Sequence, residues 1–177
     1  MIFSGSSADP GGRRCRLPAC ACIGWRGEVL GYGLGTLTRV VAAEVVVPGS
    51  PGYDVVRKPA MARFHDVRPA AIVRCRTPGD ASAAIGFARR AGLPVSVRCG
   101  GHSVAGRSAT EGMVIDVTPM SGISVSGRIA SVGAGARLGE LYEALYEHGV
   151  TNPAGCGPAV GITGLALGGG IGILGRR

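Results

Sequence analysis

From Ala70 onward, hydrophobic and polar positions fall into short, regular blocks. AIVRC (71–75) is an apolar run of strand length and predicts a short buried strand. Thr77-Pro78 then opens a helix, since proline suits the first helical position. Ala81, Ala84, Ile85 and Ala88 recur at helical spacing, Arg89 and Arg90 stand in the last turn, and Gly92 suits the C-terminal cap. PVSVR (94–98) predicts the next strand, so residues 71–98 read as a β-α-β unit. The expected outcome is a parallel pair joined by a right-handed crossover.

The blocks continue beyond it. CGGHSVAGRS (99–108) has no apolar period and reads as a loop, and MVIDV (113–117) is a third strand. ISVSGRIASVG (123–133) predicts a hairpin with Ser126-Gly127 near its turn. A second helix is expected at about 137–148, with Leu138, Leu141, Tyr142, Leu145 and Tyr146 on one face and Gly149 placed to cap it. TNPAGCGPAVGITGLALGGGIG (151–172) is a second glycine-rich segment, and the chain stops soon after it, an ending that reads as a truncation. Residues 1 to about 43 follow no period. They read as a poorly ordered extension, or equally as an artefact of upstream translation.

Composition bounds the class. A length of 177 residues suits one ordinary domain, and 46% hydrophobic against 17% charged residues is a globular balance. The 32 glycines keep no triplet period, which excludes collagen. A net charge of +8 raises the question of nucleic acid, but Lys58 is the only lysine and the arginines are scattered. With no RNP-like aromatics, zinc-finger spacing or basic heptads, a nucleic-acid role is not expected. The six cysteines show neither disulfide-framework nor zinc spacing, so they read as reduced thiols of a cytoplasmic protein. No signal-peptide pattern and no apolar run of membrane-spanning length is present in the sequence.

Chemistry is expected at the two glycine-rich loops. The first follows a parallel strand, where open α/β units place ligand loops. Without Cβ atoms, Gly100 and Gly101 let backbone amides come close to an anion, and Arg98 and Arg107 flank them with positive charge. A pyrophosphate is the natural guest. The plainer reading is a surface turn, and a lone His102 would more often be an ordinary polar residue. In the second loop Gly161, Gly164, Gly168, Gly169, Gly170 and Gly172 interrupt an apolar sequence, for which the plainer and less favoured reading is close packing of small residues. Two such loops together are better explained by a long ligand lying between them.

RPAAIVRCRTPGDASAAIGFARRAGLPVSVRCGGHSVAG and PAGCGPAVGITGLALGGGIG together resemble the FAD-binding, PCMH-type module of the vanillyl-alcohol-oxidase superfamily. Its berberine-bridge-enzyme-like and 6-hydroxynicotine-oxidase-like branches fit best, over roughly residues 44–177. The resemblance implies an α+β fold: a small parallel βαβ subdomain, then an incomplete second α/β subdomain, with FAD between them. Carried over residue by residue, it makes Arg98, Cys99, Gly100, Gly101, His102, Ser103 and Gly106 the phosphate loop. Gly157, Pro158, Val160, Gly161, Thr163, Gly164, Gly169, Gly170 and Ile171 become the second cofactor-binding segment. His102 takes the place of the histidine that commonly bonds the flavin C8α methyl. Relatives often attach a cysteine that directly precedes the proline-x-Val-Gly run. Here Gly157 holds that place and Cys156 lies one residue early, so single attachment is expected.

In the family, a hydride passes from a C–H bond of an alcohol or amine to the flavin, and electrons then pass to dioxygen. The family's substrate domain is not expected within these 177 residues, so the resemblance names neither the small-molecule substrate nor a catalytic base. The alternative is a non-catalytic remnant that binds FAD weakly or not at all. A flavin-dependent enolpyruvyl reductase on the same fold is disfavoured by GGHS, because that group does not attach its flavin covalently.

Overall fold

The computed structural model describes residues 34–172. In chain order the elements are α1 (Leu34–Val40), β1 (Glu44–Val46), α2 (Tyr53–Val56), a 3-10 turn (Ala62–Phe64), β2 (Ala71–Arg74), α3 (Pro78–Arg90), β3 (Val95–Arg98) and β4 (Met113–Asp116). The hairpin β5 (Ile123–Ser126) and β6 (Ile129–Val132), α4 (Leu138–Glu147) and α5 (Ile162–Gly168) complete them. The architecture is α+β, with a four-stranded sheet in the order β1-β2-β4-β3 and a separate antiparallel β5-β6 pair.

One expectation is corrected here. β2 and β3 do lie parallel in one sheet, but they do not pair: β4 runs parallel to both and sits between them. Burial explains the choice. Met113, Val114 and Ile115 of β4 are all fully buried and apolar, so that strand needs cover on both faces and takes the centre. VSVR alternates, leaving Val95 and Val97 exposed, which an edge strand tolerates.

α3 forms where its signals placed it. The Thr77 hydroxyl accepts the Asp80 N–H at 3.1 Å, and the Asp80 carboxylate accepts the Thr77 N–H at 2.9 Å, a reciprocal capping box. The Arg76 N–H, which the Asp80 carboxylate also accepts at 3.0 Å, and then the Thr77 hydrogen bonds hold the Asp80 carboxyl below its ordinary pKa. Gly92 and Gly149 follow α3 and α4 at φ +63° and +66°, the left-handed turn that ends a helix most readily at glycine. Ala84, Phe87 and Ala88 form the buried face of α3, whereas Ile85 of the expected stripe is exposed.

Two further differences concern order. Leu34–Val40 falls within the segment read as an unstructured extension, yet it is helical, and Leu37 and Val41 are buried in the same core as Phe87, Val73 and Ile115. Residues 1–33 of that segment lie outside the described residues. Likewise α5 stands inside the second glycine-rich segment, which reads as a loop in the sequence. Leu138, Leu141 and Leu145 of α4 form a second core with Ile123, Val125, Val160 and Leu165. Tyr142 packs against this core, but Tyr146 is 84% exposed and leaves the expected apolar face.

Candidate functional site

β2, β4 and β3 all end at the same sheet edge. Arg74, Asp116 and Arg98 are their last residues and pair in register across it. The chain leaving β3 becomes the 99–106 loop. An open cleft of about 420 Å³ lies at this edge, within the range of small-molecule sites. Arg98, Cys99, Gly100, Gly101 and His102 line it, together with Lys58, Arg74, Asp116, Thr118, Arg137 and Ala159. Four permanent cations thus face one carboxylate, a balance that favours an anionic guest.

Arg98 was expected to flank the loop with charge. Instead it lies beneath, only 5% exposed. Its Nη1 donates to Arg57 O at 2.8 Å, while Nη2 is buried without a hydrogen-bond partner. Burial pushes the Arg98 pKa down, and the charge of Asp116 opposes that shift. Arg57 is itself braced: it bonds Asp54 at 2.7 Å, and its Nη1 donates to His65 O. The Asp116 carboxylate accepts from Thr118 N at 3.0 Å and Thr118 Oγ1 at 2.5 Å.

The glycines also have a packing role. A Cβ at Gly100 would collide with Ala159 O and stand 2.7 Å from Gly161 N. One at Gly161 would lie 2.5 Å from Cys99 Sγ, and one at Gly101 would lie 2.9 Å from Ala60 N. At Gly106 it would lie 2.6 Å from the Phe64 ring. The two glycine-rich loops therefore touch each other directly, and the missing side chains serve protein packing there. Cys99 is locked into the same contact. Its Sγ–H donates to Gly135 O at 3.1 Å, and burial pushes its pKa up.

His102 stands at the cleft and is exposed, and among the described residues no hydrogen bond fixes its ring. Ser103 turns the loop, its hydroxyl accepting the Arg107 N–H at 3.1 Å and its carbonyl the Gly106 N–H at 3.1 Å. Of the second segment only Ala159 reaches the cleft. Pro158 O and Val160 O each accept one of the first N–H groups of α4, from Gly139 and Leu138, both at 2.9 Å. Gly157 O accepts the Val160 N–H at 3.1 Å, and Thr163 Oγ1 donates to Ala134 O at 2.6 Å. Gly164 and Gly169 have open space where a Cβ would stand, Gly170 packs on Ala154 O, and Ile171 is exposed. Cys156 lines a separate, mainly apolar cleft with Tyr142, Tyr146 and Pro153. Lys58, Arg74, Asp116, Thr118 and Arg137 were not expected at the site. Their types carry no spacing signal, because β-strand register and a loop bring them together.

Comparison with known proteins agrees with this geometry. The family model described as FAD binding domain matches residues 69–177. An uncharacterized FAD-linked oxidoreductase of Bacillus subtilis is 38% identical over 142 residues, spanning 77% of this chain and 31% of that protein. (R)-6-hydroxynicotine oxidase of Paenarthrobacter nicotinovorans is 35% identical, spanning 76% of this chain and 30% of the relative. Among solved structures, 6-hydroxy-D-nicotine oxidase from Arthrobacter nicotinovorans superposes with a TM-score of 0.73 at 35% identity over 76% of this chain and 30% of that one. The BBE-like 1 protein of Physcomitrella patens reaches 0.74 at 35% identity, over 81% of this chain and 32% of that one. The chain spans a little under a third of the length of these relatives. It belongs to the FAD binding domain family, as the cofactor-binding portion shared by FAD-linked oxidoreductases of the BBE-like and 6-hydroxynicotine oxidase kind.

Proposed function

We propose that this chain holds FAD at the sheet-edge cleft and tethers it covalently through His102, as part of a flavin-dependent oxidase. The observation that carries the reading is the buried, partnerless Nη2 of Arg98 in a cleft with four cationic side chains. Buried donors in proteins are nearly always satisfied, so an orphan at a cleft marks a place for an acceptor. The residues present fit a diphosphate.

Bound FAD would supply a two-electron acceptor for hydride removal from a C–H bond of an alcohol or amine, with dioxygen as the final acceptor. The chain's own work is to bind and orient. The cationic lining draws the anionic part of the cofactor to the sheet edge, and Arg98, anchored on Arg57 O, holds its position there. Packing of Gly100 on Ala159 and Gly161 holds the loop against the second segment, so that His102 is presented from a braced turn. An exposed imidazole with no competing hydrogen bond is available to attack an electrophilic ring substituent. Cys156 lies in a different cleft, which supports attachment through His102 alone.

Expression with FAD, acid precipitation and intact-mass measurement test this reading. The expected result is flavin fluorescence in the pellet and a one-FAD mass increase, lost in His102→Ala and kept in Cys156→Ser. A wild-type pellet without flavin overturns the tether. Absence of saturable micromolar FAD binding would favour the inert-remnant alternative.

A further inference from the structure

The three strands ending at the cleft lay Arg74, Asp116 and Arg98 in one row. By strand alternation they share the sheet face of Ile72, Val114 and Ser96. A row of purely structural ion pairs would use up its donors. This one leaves two over: Arg74 Nε and Arg98 Nη2 are both buried and without hydrogen-bond partners. The other end of each arginine is anchored, Arg98 Nη1 on Arg57 O at 2.8 Å and Arg74 Nη1 on Glu44 Oε2 at 3.0 Å. Anchoring fixes the plane of a guanidinium and with it the direction of its remaining N–H groups.

Asp116 lies between the two. Thr118 ties down its Oδ1, and its Oδ2 lies 3.5 Å from Arg74 Nε, close enough for ion pairing but not hydrogen-bonded. Set in register beside Arg98, its charge favours that cation as well. β2 and β3 flank β4, so the arginine backbones stand about 10 Å apart. Two guanidiniums on strand ends at that spacing suit an anion with two charged centres better than a single carboxylate.

We propose that Arg74, Asp116 and Arg98 form a side-chain diphosphate-recognition row beneath the glycine loop, with Asp116 as the positioning residue for both guanidiniums. The proposal rests on the reading that the cleft takes FAD and assigns the recognition of its phosphates to side chains on three strands. It makes a counter-intuitive demand. Removing Asp116, the one carboxylate among the described residues that line the cleft, should weaken an anionic ligand, because loss of position outweighs loss of repulsion.

The test uses the full 177-residue chain in a His102→Ala background, which keeps binding reversible. Equilibrium dissociation constants are measured for FAD, ADP and riboflavin, with circular dichroism to verify folding. Arg98→Lys and Arg74→Gln are each expected to weaken FAD and ADP about tenfold while riboflavin stays within about twofold. Arg74→Lys, which keeps the charge without the fork, should recover only part of that loss. Asp116→Asn should weaken ADP several-fold. Unchanged ADP binding in Arg74→Gln, tighter ADP binding in Asp116→Asn, or equal losses for riboflavin and FAD would each overturn the row. A chain that binds ADP through the row but not FAD keeps the row and overturns the flavin reading; one that binds neither overturns both.

Discussion

The contact between the two glycine-rich loops can be tested one atom at a time. Gly100→Ala would drive a methyl group into Ala159 O and to within 2.7 Å of Gly161 N. Both obstacles are backbone atoms, held by the N-terminal hydrogen bonds of α4 and the 157–160 turn, so neither can swing aside. Overpacking costs about 1–3 kcal/mol, and a backbone obstacle puts this site at the upper end. For a domain of this size, about 3 kcal/mol lowers Tm by roughly 6–12 °C. Gly161→Ala meets a different neighbour, Cys99, whose Sγ and Cβ would lie 2.5 and 2.6 Å away. A double-mutant cycle therefore separates the two. Cys99→Gly removes both obstructing atoms and should recover about 1–2 kcal/mol of the Gly161→Ala loss, but almost none of the Gly100→Ala loss. Gly164→Ala is the control: open space surrounds it inside α5, so a gain of about 0.5 kcal/mol is expected. Thermal melts of the four single variants and of the two double mutants that combine Cys99→Gly with each alanine decide the matter. If Gly100→Ala melts like the wild type, or if Cys99→Gly rescues both alanines equally, the loops are not in the contact described and the packing argument fails.

Three further outcomes follow from burial and exposure. Leu37 is fully buried beside Phe87 and Ile115, so Leu37→Ala should cost about 2–5 kcal/mol in urea unfolding, whereas a loss under 0.5 kcal/mol would detach α1 from the core. Burial pushes the Cys75 thiol up to about 11 from an ordinary value of 9.0, with Asp80 and Asp116 adding to the shift. An acid whose pKa is raised by folding stabilises the fold fully below the unfolded value. That contribution should fade as pH rises from about 9 to 11, and Cys75→Ala should flatten the loss in melts across that window. Peptide mapping after brief alkylation at pH 8 should label exposed Cys156 and spare Cys75 unless the chain is first unfolded.

The local elements were legible because their causes are local. Thr77-Pro78 and Gly92 bound α3, the apolar runs at 71–74 and 113–116 are strands, and Leu138, Leu141 and Leu145 mark the buried face of α4. The paired motifs RCGGHS and PAVGITG likewise carried the family, since chemistry that binds one cofactor leaves residues at recognisable spacing. Strand order was a different matter. That β4 separates β2 from β3 depends on which strand can be covered on both faces, and such cover is supplied by α1, α3 and the Tyr53 segment from elsewhere in the chain. The same holds for the roles of single residues. Gly100 lines the cleft, and its packing against Ala159 and Gly161 is visible only in the folded chain. Arg74, Asp116 and Arg98, separated by 42 and 18 positions at their widest and narrowest, become neighbours only when three strand ends are laid in register. Period and spacing are written along the chain, but burial and charge pairing exist only between segments, and packing alone decides which segments meet.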